Sequence, residues 1–416
     1  MRLLHTSDWH LGQSLHNFER HYEHQRFLDW LLDTIVSERA DALLVAGDIF
    51  DNANPSSASQ KQLYRFLQRA KERVPHLNLV VIAGNHDSPG RLEAPGPLLE
   101  AHGTRVIGAV QRNADGAVDI ASLVLPLTGA GGQVEAWCLA VPFLRPGDVP
   151  RAPAGAATNT GDATGADPYL AGIALLYKQA LELALSLRQD GQAIVAMGHC
   201  HMVDGQMSND SERRIVIGGT EMLPAGIFDS AIVYAALGHL HLAQAVGKQD
   251  HIRYCGSPIP LSFAEVGYRH QILRIDIDGA SVREIAAIAV PRAVELLRVP
   301  ARPAPLAQVL EELAALNVAD APSDQQPFLE VRVRLDAPEP GLRARIEAAL
   351  EGKPVRLAKI ETSSAARNTS IDNDVLTLDQ LEQLKPDDIF RQLYQQRFGN
   401  DAPAEQLSAF AELMLP

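Results

Sequence analysis

The chain has 416 residues, a formal net charge of −14, 46% apolar and 21% charged side chains, the composition of an ordinary globular protein long enough for about two to three domains. No apolar run reaches the length of a bilayer span, the polar start "MRLLHTSDWH" is not a secretory leader, and Cys138, Cys200 and Cys255 are too scattered for a CxxC or disulfide framework, so a cytoplasmic setting is expected. The acidic balance argues against a protein that coats nucleic acid with its whole surface, leaving room for a local basic groove, metal ions or a partner that brings positive charge.

In chain order, "RLLHTS" reads as a strand, followed by a helix over "HQRFLDWLLDTIVSERA", a strand at "DALLVAGD", a helix over "SSASQKQLYRFLQRAKERV" and a strand at "LNLVVIAGN". Such alternation predicts βαβ units around a mostly parallel buried sheet. Residues 104–147 look more antiparallel, with pieces such as "VEAWCLAVPF". Residues 151–167 are small, polar and aperiodic, and predict a surface loop. A helix over "YLAGIALLYKQALELALSLRQ" precedes strands at "AIVAMGH", "RIVIGG", "IVYAALGH" and "IRYCGS". From residue 280 to 361 the chemistry thins out, and "PFLEVRVRLD" with "GLRARIEAALEG" predicts a small α+β domain. Residues 362–374 read as a linker. The tail, 375–416, shows amphipathic helix spacing at Leu378, Leu381, Leu384 and again at Ile389, Phe390, Leu393, Tyr394.

Five strands end in metal-binding chemistry. They run into Asp8-Trp9-His10, Gly47-Asp48-Ile49-Phe50-Asp51, Gly84-Asn85-His86-Asp87, Gly198-His199-Cys200-His201 and Gly238-His239-Leu240-His241. Taken alone, Gly84–Asp87 is a turn with Asp87 or Ser88 capping a helix that starts at Pro89. In an open α/β sheet, however, the carboxyl ends of neighbouring strands converge on one rim where ligands bind. Extended residues i and i+2 point the same way, so Asp8 with His10, and His239 with His241, can serve one site while Trp9 and Leu240 turn away. Carboxylate, imidazole and one amide without thiolate suit a divalent ion such as Mn²⁺, Fe²⁺ or Zn²⁺ better than Ca²⁺. There are too many donors for one ion. Two ions sharing a carboxylate, about 3.5–4 Å apart, could clamp both oxygens of a phosphoryl displacement.

The ordered set D-x-H, G-D-x-x-D, G-N-H-D, G-H and G-H-x-H is similar to that of the calcineurin-like metallophosphoesterase superfamily. "MRLLHTSDWHLGQ", "VAGDIFD", "AGNHDS", "VPFLRP", "ALGHLHLAQ" and "HIRYCGSPIPLSF" resemble the SbcD family within it, the nuclease subunits that work with the SbcC ATPase. The likeness is strong over residues 1 to about 275. It implies an α/β metallophosphoesterase fold, a two-sheet β-sandwich flanked by helices, over residues 1–279. A small α+β DNA-capping domain (280–361) would follow, and a helical segment that binds SbcC (375–416).

Carried over by position, the resemblance makes Asp8, His10, Asp48 and His241 the ligands of one Mn²⁺. Asp48, Asn85, His199 and His239 would hold the second, with Asp48 bridging and Mg²⁺, Fe²⁺ or Zn²⁺ as other candidates. His86 would protonate the leaving oxygen, Asp87 would orient His86 or else cap the next helix, and Asp51 would stand near Asp48. His201 would be a neighbour, with His5 and Trp9 packing behind the site. The activity implied is phosphodiester hydrolysis in DNA repair and recombination. It comprises exonuclease action on duplex ends and endonuclease action on single strands and hairpins, in a homodimer formed by the helices near residues 56–73 and 91–102. Arg20, Arg26, Arg65, Arg69 and Arg91 could supply a local basic strip. The rival readings are a stand-alone phosphatase or nucleotidase and a scaffold that has lost catalysis; the second requires a broken ligand set.

Overall fold

The computed structural model describes residues 1–150, 167–203, 205–206, 222–335, 337–363, 386–403, 406, 407 and 410. The chain divides into two compact units, Met1–Ala293 and Val294–Pro416. Expectations for the loop at 151–166, the strand "RIVIGG", linker residues 364–374 and Leu378, Leu381 and Leu384 fall outside the described residues.

The first unit is built on two six-stranded sheets. One runs in the order Ser281–Ala289, Gln271–Asp278, Arg2–Thr6, Ala42–Ala46, Asn78–Ile82, Thr104–Ile107. Its last four strands are parallel, with helices His21–Ser37 and Ser57–Arg73 on the crossovers. The other runs Gln244–Val246, Gln249–Tyr254, Tyr234–Gly238, Ala193–His199, Val134–Ala140, Val124–Thr128. The antiparallel pairing expected across 104–147 joins Val124–Thr128 to Val134–Ala140. Thr104–Ile107 instead lies parallel to Asn78–Ile82, and Val134–Ala140 lies parallel to Ala193–His199.

The strands are continuous apolar runs because both faces are covered. Ala42, Leu44 and Ala46 point between the sheets, where they meet Val195, Met197 and Ala236. Leu43 and Val45 alternate to the other face and pack with Phe27, Leu31, Phe66 and Leu67 of the two helices. On the outside of the second sheet lies helix Pro168–Leu187, started by Asp167, whose side chain accepts from Tyr169 N–H, with proline at the first position. It buries Ile173, Leu176, Tyr177, Ala180 and Leu181. By length and composition this helix could cross a membrane, contrary to the expectation that no stretch is long enough; here that apolar face covers the second sheet.

The strand Ser281–Ala289 hydrogen-bonds along the whole of Gln271–Asp278. It therefore belongs to the first unit, and the division falls after Ala293 rather than at the expected residue 280. In the second unit three parallel strands, Leu296–Pro305, Phe328–Arg334 and Arg356–Ser363, alternate with helices Leu306–Ala315 and Leu342–Ala349 over a core of Val309, Leu313, Leu329, Val331, Val333 and Ile346. This is a βαβαβ alternation, where an α+β arrangement was expected. Farther on, helix Pro386–Phe398 has Tyr394 buried and Leu393 exposed, and the Phe390 ring stacks on Phe410 at 4.5 Å.

Candidate metal centre

Both sheets send strand ends to one place. Asp8, His10, Asp48 and Asn85 follow strands of the first sheet; His199 ends one strand of the second, and His239 and His241 follow another. Asp8, His10, Asp48, His199, His239 and His241 are each at most 3% exposed. Ligand atoms of Asp8, His10 and His241 lie within 4.8 Å of one another, as do those of Asp8, Asp48 and His199, and those of His10, Asp51 and His86. Asn85 Oδ1 stands 2.9 Å from His199 Nε2.

The backbone route differs from the expected one. Asp8 and His10 converge, but not as alternate residues of an extended strand. Both are left-handed, with φ 53° and 46°, as are Asp48 at 49° and His239 at 108°. A non-glycine residue in that region is strained by about 1–3 kcal/mol, so the strand exits bend sharply enough to turn these side chains onto one point. His239 and His241 likewise serve different neighbours. The His241 ring lies 5.3 Å from that of His10, whereas His239 lies 5.5 Å from His199 and 6.0 Å from His201. Leu240 between them is fully buried in the outer core of the second sheet, and Trp9 packs edge-on against Phe27 and Phe66. Gly238 permits a close approach of the two sheets, since a Cβ there would lie 1.8 Å from the Ala46 carbonyl oxygen.

Two imidazoles are hydrogen-bonded through Nδ1, and a third has a carboxylate near the same nitrogen. His10 Nδ1 is 3.3 Å from the Asp51 carboxylate, His199 Nδ1 is 2.9 Å from the Ala46 carbonyl, and His241 Nδ1 is 2.8 Å from the Glu265 carboxylate. Donating from Nδ1 leaves the Nε2 lone pair for a metal. His10 Nε2 and His239 Nε2 are buried without a hydrogen-bond partner among the described residues, the state of a donor atom built for an ion.

Charge points the same way. Burial pushes the Asp8 carboxyl up from its usual range, with Asp48 adding to the effect. At Asp48 burial also pushes up, but His199, His10 and His86 outweigh it and hold the carboxylate well below its usual range. Burial alone would lower His199; Asp48 and Asp8 raise it to about 9. His239 is pushed well below its ordinary value by burial and by neighbouring histidines. Two buried carboxylates side by side among imidazoles form a pocket that a divalent cation neutralises.

Around this centre the side chains take roles of their own. Asp87 neither orients His86 nor caps the following helix: its carboxylate accepts the backbone N–H groups of Gly84 at 2.8 Å, Ile49 at 3.1 Å and Phe50 at 2.9 Å. It ties the loops after two neighbouring strands together. His86 Nδ1 lies 2.7 Å from the Asp51 carbonyl, and the His86 backbone N–H donates to the Asp48 carboxylate at 2.9 Å. Asp51 thus touches both His86 and His10. Arg20 is buried rather than part of a basic strip, because it pairs bidentately with Glu23; Arg69 pairs with Asp29, while Arg26, Arg65 and Arg91 are exposed. Glu265 was missed in the sequence. It stands two residues past the quoted run "HIRYCGSPIPLSF", and its only signal is an acid inside an otherwise apolar segment. Ser7, which donates to Asp8 at 2.5 Å, was also passed over as strand.

Residues 1–243 match the calcineurin-like phosphoesterase family, and residues 292–398 match a family described as the type 5 capsule protein repressor C-terminal domain. The chain is 40% identical over 360 residues to the SbcD component of nuclease SbcCD from Rhodobacter capsulatus, covering 86% of both chains. It is 34% identical to the SbcD component from Escherichia coli K12, over 88% of this chain and 86% of the other. The identity to the Bacillus subtilis protein is 32%, over 66% of each.

Proposed function

The chain belongs to the calcineurin-like phosphoesterases and, within them, to the SbcD family, and from that premise we propose that it is the metal-dependent DNA nuclease subunit of an SbcC–SbcD complex. The substrates proposed are duplex ends, hairpins and single strands, in the cytoplasm, during repair and recombination. The observation that carries this reading is the clustering of Asp8, His10, Asp48, His199 and His241 from two sheets, with His199 and His241 tied back through Nδ1.

Asp8, His10, Asp48 and His241 would hold one divalent ion and Asp48, Asn85, His199 and His239 the other, with Mn²⁺ proposed for both. When bound, such a pair supplies Lewis acidity at phosphoryl oxygens and acidifies water at neutral pH. The chain's own work is positioning and proton transfer. Asp51 fixes His10 through its carboxylate and His86 through its carbonyl. A doubly protonated His86 then has Nε2–H to donate to the departing oxygen. Its ring lies 4.8 Å from that of His10, a separation that supports the acid role.

With a net charge of −14, the isolated protein has little cation to spend on phosphates, whose neutralisation dominates duplex affinity. SbcC supplies the grip, and the tail around Phe390 and Tyr394 is the segment proposed to dock on it. The homodimer is proposed to form along Ser57–Arg73 and residues 91–102. A groove of about 410 Å³ lined by Tyr64, Leu67, Lys71, Leu98 and Leu99 lies there, and Leu98 is 73% exposed. The test is hydrolysis of linear duplex, hairpin and single-stranded DNA with Mn²⁺, with and without SbcC and ATP, against a panel of mononucleotides and phosphate monoesters. Turnover confined to the small substrates would replace the nuclease reading with a phosphatase one.

A further inference from the structure

We propose that Glu265 is a positioning residue that fixes the His241 imidazole for metal binding, and that it acts on one ion of the pair. This rests on the metal-centre reading above and deepens it, because Glu265 lies outside every strand-end motif. Its side chain is fully buried. Oε1 lies 2.8 Å from His241 Nδ1, and Oε2 accepts the Leu261 N–H at 2.7 Å. A carboxylate at this distance accepts the Nδ1 proton, which makes Nε2 the ligating nitrogen of His241 beside its companions in the cluster, Asp8 and His10. Carboxylates that hold a ligating histidine in this way fix the ring and raise its basicity.

The segment that carries Glu265 is itself built in place. Arg20 donates to the Pro260 carbonyl at 2.6 Å, Gln13 Nε2 donates to the Leu261 carbonyl at 2.8 Å, and Ser257 N–H donates to the His241 carbonyl at 3.1 Å. The plain alternative is that Glu265 only braces this loop by accepting from Leu261. What favours the larger role is an asymmetry. In the cluster of Asp8, His10 and His241, His241 hands Nδ1 to a carboxylate and His10 Nδ1 lies 3.3 Å from another, whereas His199, clustered with Asp8 and Asp48, hands Nδ1 to a neutral carbonyl. Removing one outer carboxylate should therefore weaken one ion and spare the other.

The experiment uses the full chain, with Mn²⁺ as the probe, and compares wild type with Glu265→Gln and Glu265→Ala by calorimetric titration and electron paramagnetic resonance. Glutamine keeps the size and an acceptor for Leu261 N–H but loses the charge. Near-UV circular dichroism and thermal melting establish that each variant is folded. The expected result is two ions in wild type and, in both variants, a tenfold to hundredfold weaker affinity for one ion with the other unchanged. At Mn²⁺ levels that saturate wild type, the signal of a coupled pair should give way to the six-line signal of isolated Mn²⁺, and excess Mn²⁺ should restore the pair. Unchanged affinities in folded Glu265→Gln, equal loss at both ions, or loss of the fold in both variants would assign Glu265 to bracing and overturn the proposal. Wild type that binds no Mn²⁺ would instead overturn the metal-centre reading on which it stands.

Discussion

Gly238→Ala tests the close approach of the two sheets. The added Cβ would lie 1.8 Å from the Ala46 carbonyl oxygen and 2.9 Å from His199 Nδ1, where real Cβ atoms essentially never come within 3.0 Å. The nearest obstacle is backbone at the end of a buried strand, so relief requires the Ala42–Ala46 and Tyr234–Gly238 strands to part by more than about an ångström. Overpacking of this kind costs about 1–3 kcal/mol, and the His199–Ala46 hydrogen bond, at 2.9 Å, adds about 1 kcal/mol when lost. The expected loss is about 2–4 kcal/mol, a large share of the about 5–15 kcal/mol that holds a typical domain. Urea unfolding followed by circular dichroism measures it. Gly90→Ala is the control, because nothing lies within 4 Å of a Cβ there, and it should stay within about 0.5 kcal/mol of wild type. A Gly238→Ala protein within about 1 kcal/mol of wild type would refute the steric reasoning.

His86→Ala should lower turnover by about 10²–10⁴-fold, the usual contribution of a general acid, while Mn²⁺ titration still counts two ions; unreduced turnover would remove His86 from the proton transfer. Arg20→Ala strands Glu23 as a buried charge and should destabilise the fold by about 3–5 kcal/mol, measured by thermal melting; a melt unchanged from wild type would show the pair to be dispensable. Burial lowers His5 from 6.5 to about 3. The unfolded chain therefore takes up a proton as pH falls below about 6.5 and the folded one does not, so this residue's contribution to stability should be lost at about 1.4 kcal/mol per pH unit down to about pH 3. Urea midpoints between pH 7 and 4 should fall more steeply for wild type than for His5→Gln, and parallel slopes would contradict the assignment.

The apolar runs of "ALLVA", "LVVIA" and "AIVAM" announced strands covered on both faces, and the residues that follow them announced the centre, because short-range pattern encodes burial and strand ends. What stayed hidden depended on long-range pairing. Ser281–Ala289 could be placed with the first unit only through its partner Gln271–Asp278, and the parallel order of the three strands after Leu296 has no local signature. The donors of the site were visible as residue types, but the means of aiming them was not. Asp and His are among the side chains that tolerate positive φ best, but that tolerance does not say which of them will turn, so the left-handed turns at Asp8, His10, Asp48 and His239 had no signal of their own. Asp87 shows the limit most plainly, for its three backbone partners lie on two separate loops. Glu265 meets His241 across 24 residues.

Each of the two trios that include Asp8 with a second-sheet histidine straddles the sandwich: Asp8 and His10 reach across to His241, and Asp8 and Asp48 reach across to His199. An ion seated in either would work like a rivet through two plates, fastening layers that otherwise adhere only by oily contact and a few polar ties such as His5 to Tyr234. A divalent ion bound there should then strengthen the molecule mechanically as well as chemically, and a chelator should let the plates slip at that rim before the rest of the sandwich gives way.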